Sequence, residues 1–255
     1  MARPGTLYLI PVYLGDPDLS QLPAVALEKA RSIKHFVVEN EKSARAFLKS
    51  IGTPVPQNDL EFLVLDEHTK DEEFDALLKP LIAGNDVGLM SEAGCPGIAD
   101  PGSPLVRLAH LKHIRVVPLV GPSSILLGLM ASGLNGQRFR FHGYLSREKA
   151  ERRDQLKALS KETVKTGETQ IFIETPYRND SIIEDILTFV EPAVTLCIAS
   201  DLSTKQESIR SQPISDWKKM KNEIGKKPCV FLLGAPAISS RPEKAHRPSR
   251  PRHRR

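Results

Sequence analysis

The sequence predicts an α/β protein built from two α/β domains with mostly parallel sheets. Three observations lead there. Short apolar or β-branched runs alternate with longer stretches of helical character along the chain, the pattern of a sheet covered by helices. Two strands run straight into loops dense in Gly and Pro, through which no regular element continues. After Leu134-Asn135-Gly136 the alternation starts again.

In the first half, strands are predicted at 6–14, 35–39, 61–65, 86–91 and 114–119. Helices fall between and after them, at 22–33, 41–51, 71–83, 103–112 and 122–133. Val87 to Met90 (V-G-L-M) reads as a short buried strand, and I-R-V-V-P-L-V at 114–120 as a β-branched one. In the second half, strands are predicted at 138–144, 169–174, 194–200, 206–211 and 228–234, with helices at 147–160, 179–190 and 214–224. At 255 residues the chain is long enough for one large or two modest cores.

The loop S-E-A-G-C-P-G-I-A-D-P-G-S-P follows the strand at 86–91. It sits at the carboxyl end of a strand, where open α/β sheets bind ligands. Its glycines admit a ligand close to the backbone, and its prolines lower the entropy lost in holding the loop in shape. A second such loop, Gly121-Pro122-Ser123-Ser124, opens the helix at 122–133. The two serines suit a helix N-terminal turn, either as caps or as ligand contacts.

These loops, taken with A-S-G-L at 131–134, R-F-R-F-H-G-Y-L at 138–145, E-R-R-D-Q-L at 151–156, I-F-I-E-T-P-Y-R at 171–178 and K-P-C-V-F-L-L at 227–233, resemble the tetrapyrrole-methylase superfamily. Within it, the sequence is most similar to the ribosomal RNA small subunit methyltransferase I family, over about residues 5–235. The resemblance implies domains at 1–119 and 120–238, with a cofactor cleft between them. It implies S-adenosylmethionine as methyl donor, bound without a G-x-G-x-x-G loop, and that motif is absent here. Carried over by position, Pro11 would end the first strand against the cofactor. Ala93, Gly94, Cys95 and Ile98 would line its methionine side. Ser123 and Ser124 would meet the carboxylate or sulfur region, and Ile173, Glu174, Pro228, Cys229 and Val230 would flank the adenosine. Glu174 also reads as a carboxylate capping 175–178, and the Cys229 side chain as a small buried apolar group.

The chain departs from the ribosomal family in two places. Where that family has A-T-P-I-G-N-L, this chain has I-P-V-Y-L-G-D-P, keeping Pro11 and Gly15. Where it has A-E-D-T-R, this chain has V-E-N-E-K-S-A-R. Glu39 aligns, Asn40 replaces Asp, and Arg45 matches the Arg only after a shift. The resemblance implies a cytidine 2′-hydroxyl of small-subunit rRNA as acceptor and a homodimer. A tetrapyrrole or other small acidic acceptor, and a non-catalytic RNA-binding protein, stay open as alternatives.

Composition narrows the classes. Forty per cent hydrophobic residues exclude a disordered chain. No apolar run reaches the roughly 18 residues of a membrane span, and Pro11 breaks the N-terminal run, so the start reads as a first strand rather than a signal peptide. Cys95, Cys197 and Cys229 are odd in number and far apart. They suggest neither a disulfide framework nor a metal site, so the expected setting is the cytoplasm. Residues 241–255 hold seven Lys/Arg and one Glu, a net +6, while the whole chain carries +5. Residues 239–255 read as a disordered basic tail, either an RNA anchor acting through counterion release or an incidental extension.

A ribose hydroxyl is a weak nucleophile that benefits from a base. Glu39, Glu92, Asp100 and Glu174 stand at strand ends or loops, and no one of them is singled out as catalytic. Arg138, Arg140, Arg147, Arg152 and Arg153 are expected to hold RNA phosphates or to form a solvated face with i,i+4 partners such as Glu148–Arg152. His110 and His113 lack a third ligand, so no metal is expected.

Overall fold

The computed structural model describes residues 3–66, 68–221 and 223–236. The tail at 239–255 lies outside these residues. The first half runs β1 (Thr6–Leu9), α1 (Ala24–Ser32), β2 (His35–Val38), α2 (Glu41–Ser50), β3 (Glu61–Val64), α3 (Phe74–Ile82), β4 (Val87–Met90), α4 (Ser103–Leu111), β5 (Arg115–Pro118) and α5 (Ser124–Ser132). The second runs β6 (Phe139–Tyr144), α6 (Lys149–Thr166), β7 (Thr169–Glu174), α7 (Asn179–Phe189), β8 (Thr195–Ser200), β9 (Ser208–Pro213), α8 (Ile214–Trp217) and β10 (Cys229–Gly234).

The first sheet has the order β3-β2-β4-β1-β5, and every neighbouring pair is parallel. Parallel neighbours require crossovers, and the helices supply them on both faces. On one face Ile10, Phe36 and Val38 pack with Ala30 of α1 and Phe47 and Leu48 of α2. On the other, Leu7, Val37 and Leu89 pack with Leu77, Leu78 and Leu81 of α3 and Leu105 and Ala109 of α4. Gly88 in β4 makes this packing possible. A Cβ there would lie 2.5 Å from Ile10 Cδ1 and 2.8 Å from Phe36 Cδ1.

The second sheet has the order β6-β7-β10-β8-β9. It differs from the mostly parallel expectation. Only β6–β7 is parallel, and β7–β10, β10–β8 and β8–β9 are antiparallel. Connection length gives the reason. β8 and β9 are joined by residues 201–207 alone, too few for a parallel crossover of a dozen or more. β10 then inserts between β7 and β8, antiparallel to both. Phe172, Phe231 and Ile198 face α6 and α7. Ile171, Ala199, Val230 and Leu232 face Ile125 and Leu129 of α5. So α5, which follows β5 of the first sheet, packs on the second.

The strand expected at 6–14 ends at Leu9, and two helix ends shift by more than five residues. The helix expected at 214–224 is a single turn, α8. Its Ile214 and Trp217 are buried, and the Trp217 indole donates to Leu196 O at 2.9 Å. Beyond Trp217 the chain is lysine-rich, so no apolar face draws the helix on. Conversely α6 extends beyond residue 160, because Ser160 and Thr163 are buried in it, and it stops at Gly167, whose φ is +69°.

Candidate functional site

A cavity of about 390 Å³ opens at the carboxyl ends of β1, β2 and β4 and against the ends of β7, β8 and β10. That volume lies in the range of small-molecule sites. Each wall is fixed by local structure. In the loop after β4, Gly94 exchanges two backbone hydrogen bonds with Val12, at 2.9 and 3.0 Å. Gly94 and Gly97 have φ of +74° and +84°, a region that favours glycine. The Asp100 carboxylate accepts from the N–H of Gly97 and of Gly102, both at 2.8 Å, so it organises the loop. Ala99, also on the wall, has φ +61°, a sparsely populated conformation for a non-glycine residue.

The second loop stands against the first. The half-buried Cys95 donates its thiol to Pro122 O at 3.3 Å, and burial, then the Asp100 charge, pushes its pKa up. A Cβ on Gly121 would lie 2.1 Å from Pro11 Cβ. Pro11 is therefore the backing of the second loop and is not among the residues lining the cavity. Ser123 sits at the N-cap of α5 but makes no side-chain cap bond, and Ser123 and Ser124 both line the cavity.

The third wall comes from the second sheet. Glu174 ends β7 and is 5% exposed. Its Oε1 accepts from Thr175 N at 2.7 Å. Its Oε2 pairs with Arg178 at 3.1 Å and accepts no hydrogen bond. A buried acceptor left in this state is costly unless a ligand group donates to it. Opposite, Asp201 pairs with Lys227 at 3.0 Å. Asn179 donates to Gly225 O and Lys227 O, both at 2.8 Å, fixing the approach to β10. Gln21 donates to Leu14 O and to Ser203 O, at 3.1 and 3.2 Å, joining the first-strand loop to the second half.

Of the twelve residues expected to bind a cofactor, Ala93, Gly94, Cys95, Ile98, Ser123, Ser124, Ile173, Glu174, Pro228, Cys229 and Val230 line this one cavity, and Pro11 does not. Sequence reasoning missed Leu14, Tyr144, Ala199, Asp201 and Thr204 on the wall. A signal existed for two of them, because Asp201-Leu202-Ser203-Thr204 follows a buried strand at its carboxyl end. Glu39, Asp100, Glu174 and Asp201 line the cavity with no Lys, Arg or His among the described lining residues. Arg178 and Lys227 already counter the charges of Glu174 and Asp201, so the lining offers a ligand hydrogen-bond acceptors.

The carboxylates separate by task. Asp100 is engaged by the loop. Glu92 is exposed and does not line the cavity. Glu39 does, and accepts from Glu92 N at 3.3 Å. Asn40, in place of the family Asp, caps α2 by accepting from the N–H of Lys42 and Ser43. Arg45 pairs with Glu41 at 2.8 Å and stacks over Phe62 at 4.3 Å.

The arginine cluster is not one surface. Arg152 is 5% exposed. It pairs with Asp185 at 2.6 Å and donates to Ser146 O and Arg147 O. Its partner is Asp185 on α7 rather than Glu148, and no phosphate can reach it. Arg138 and Arg140 lie at the amino end of β6, paired with the start of β7, about 13–20 Å along the strand from the cavity end. Arg140 pairs with Glu168. Arg153 is half-buried and holds its neighbour Asp154 at 2.9 Å. Of the five, Arg147 is exposed close after Tyr144. Among the described residues no group of three or more His, Cys, Asp or Glu could hold a metal ion. No described helix is long and apolar enough to cross a membrane.

Comparison with known proteins bears on this geometry. The family model for tetrapyrrole (corrin/porphyrin) methylases matches residues 6–217. The chain is 31% identical over 232 residues to the ribosomal RNA small subunit methyltransferase I of Escherichia coli O157:H7, covering 90% of this chain and 77% of that protein. It is 32% identical over 232 residues to the protein of that name from Pseudomonas aeruginosa, covering 90% and 78%. With that of Synechocystis sp. it shares 30% over 203 residues, covering 80% and 69%.

Proposed function

The chain belongs to the tetrapyrrole (corrin/porphyrin) methylase family and is an S-adenosylmethionine-dependent methyltransferase; on that premise we propose that it methylates the 2′-hydroxyl of a cytidine in small-subunit rRNA. The observation that carries the reading is the cavity lined by carboxylates, in which the buried Glu174 Oε2 accepts no hydrogen bond. The donor is a sulfonium cation with an ammonium group and ribose hydroxyls. Its ammonium and hydroxyl groups can donate to the lining carboxylates, and an N–H or O–H of the donor suits Glu174 Oε2. The loops at Ala93 to Ile98 and Ser123-Ser124, and the strand ends at Ile173-Glu174 and Pro228 to Val230, would hold it. The two halves at 1–119 and 120–238 form the two domains of this proposal, and the working form is a cytoplasmic homodimer.

The bound donor supplies an activated methyl group whose transfer discharges the sulfonium. The protein's own contribution is alignment and exclusion of water, which suffice for an in-line displacement. Glu39 is half-buried on the lining, within the set of residues able to take the proton of an acceptor hydroxyl. No Lys, Arg or His among the described lining residues offers a counter-charge to an acceptor that carries several carboxylates, such as a tetrapyrrole acid. A polyanion whose phosphates stay outside and whose ribose alone approaches the cavity needs none there. The direct test incubates the protein and labelled donor with undermethylated small ribosomal subunits or with porphyrinogens. Label in the RNA supports the proposal, and label in the porphyrinogen alone overturns it.

A further inference from the structure

We propose that the rim of the cavity is a stacking platform for unpaired RNA bases, built from Tyr144 and Tyr177. It rests on the rRNA reading above and adds the form of RNA that is recognised. Of the aromatic side chains, Phe139, Tyr144 and Tyr177 are exposed and the others are buried or half-buried. Phe139 lies at the far end of β6. The other two lie on segments beside the cavity. Tyr144 is 55% exposed and lines the cavity where β6 ends. Tyr177 is 79% exposed and follows the lining residue Pro176. Arg178 binds the two segments together by donating to Ser146 O at 3.0 Å.

The charge around them fits an RNA strand. Lys226 Nζ stands 4.7 Å from the centroid of the Tyr177 ring, and Arg147 is exposed beyond Tyr144. Cations at the rim attract phosphates, while the described lining of the cavity offers them no Lys, Arg or His. A strand would therefore keep its backbone at the rim and direct only a nucleoside inward. Exposed rings flanking such a mouth offer faces to neighbouring bases, and every base has a face to stack. Paired bases in a duplex have no free face, so the platform selects single-stranded RNA.

The test uses the full chain and fluorescence anisotropy with a labelled uridylate dodecamer, against the same strand in an adenylate duplex. Wild-type protein should bind the single strand more tightly than the duplex. Tyr177→Ala and Tyr144→Ala should each weaken single-strand binding about ten-fold, with duplex binding unchanged, and the Phe variants should stay close to wild type. Equal binding of the two RNAs, no binding of the dodecamer, or unchanged binding by both Ala variants would overturn the platform. Tyr144→Ala that loses affinity for the methyl donor but keeps the dodecamer would place that ring on the donor and overturn it also. Transfer to small subunits is measured alongside. Wild-type KM in both Ala variants rejects the platform and leaves the proposed function standing, whereas absence of transfer by the wild type rejects the proposed function itself.

Discussion

Replacing Arg152 by Ala separates two roles that an arginine in this region can have. The side chain is buried, with its guanidinium 2.6 Å from Asp185 and donating to two backbone carbonyls. Its removal leaves a buried carboxylate without its charge partner and takes one donor from Arg147 O and one from Ser146 O, which keeps Arg178. Breaking a buried pair in this way costs about 3–5 kcal/mol. For a chain of this size one kcal/mol moves the melting temperature by about 2–4 °C, so the loss is about 6–20 °C. Differential scanning calorimetry measures it. Arg152→Ala combined with Asp185→Ala should recover part of the loss, because the orphaned charge is gone. A phosphate ligand would behave differently. Its loss would leave stability nearly unchanged and lower the slope of log affinity against log salt by about 0.7 on a single strand. A stable variant with that reduced slope would refute the structural role.

Three further outcomes follow from the geometry. Gly94→Val should abolish binding of S-adenosylmethionine in calorimetry while lowering stability by about 1–3 kcal/mol, the strain of a non-glycine at φ +74°; equal affinity in both proteins would remove this loop from the donor site. Deleting 241–255, with its seven cations, should lower RNA affinity and flatten its salt dependence by about 0.7–0.9 per lost phosphate contact, leaving donor affinity intact; an unchanged slope would exclude the tail as an anchor. Burial raises the thiol pKa of Cys197 from 9.0 to about 11 and of Cys229 to about 12. The unfolded thiols release protons first, so the stability these thiols contribute is complete below pH 9 and is lost as pH rises through about 11–12. Urea midpoints between pH 8 and 11 should fall less steeply in the Cys197→Ala, Cys229→Ala double variant than in wild type, and parallel curves would contradict this.

The cavity was largely legible because its walls are made of unusual residues. Gly94, Pro96 and Gly97 after a buried strand, and Gly121-Pro122 after a β-branched one, can only be loops at strand ends. The family likeness carried the second wall, since nothing in I-F-I-E-T-P alone says which ends of β7 and β10 meet. Residues that act through long-range placement were not legible. The periodicity of α6 gives no sign that Arg152 points at Asp185, 33 residues on, rather than at solvent. Pro11 looks like a cavity residue by position, yet its ring fills the space beside Gly121. The antiparallel second sheet was hidden for a related reason: strand order depends on where β10 inserts, and that follows from packing across the whole half.

The most direct measurement of the central claim is a mass map of small-subunit rRNA from a strain that lacks the protein, compared with one that has it. The account expects one cytidine to lose its 2′-O-methyl group in the first strain, and purified protein with S-adenosylmethionine to restore it. An identical methylation map in the two strains, with turnover of a porphyrinogen by the purified protein, would contradict the rRNA acceptor and leave the methyltransferase fold with a small-molecule substrate.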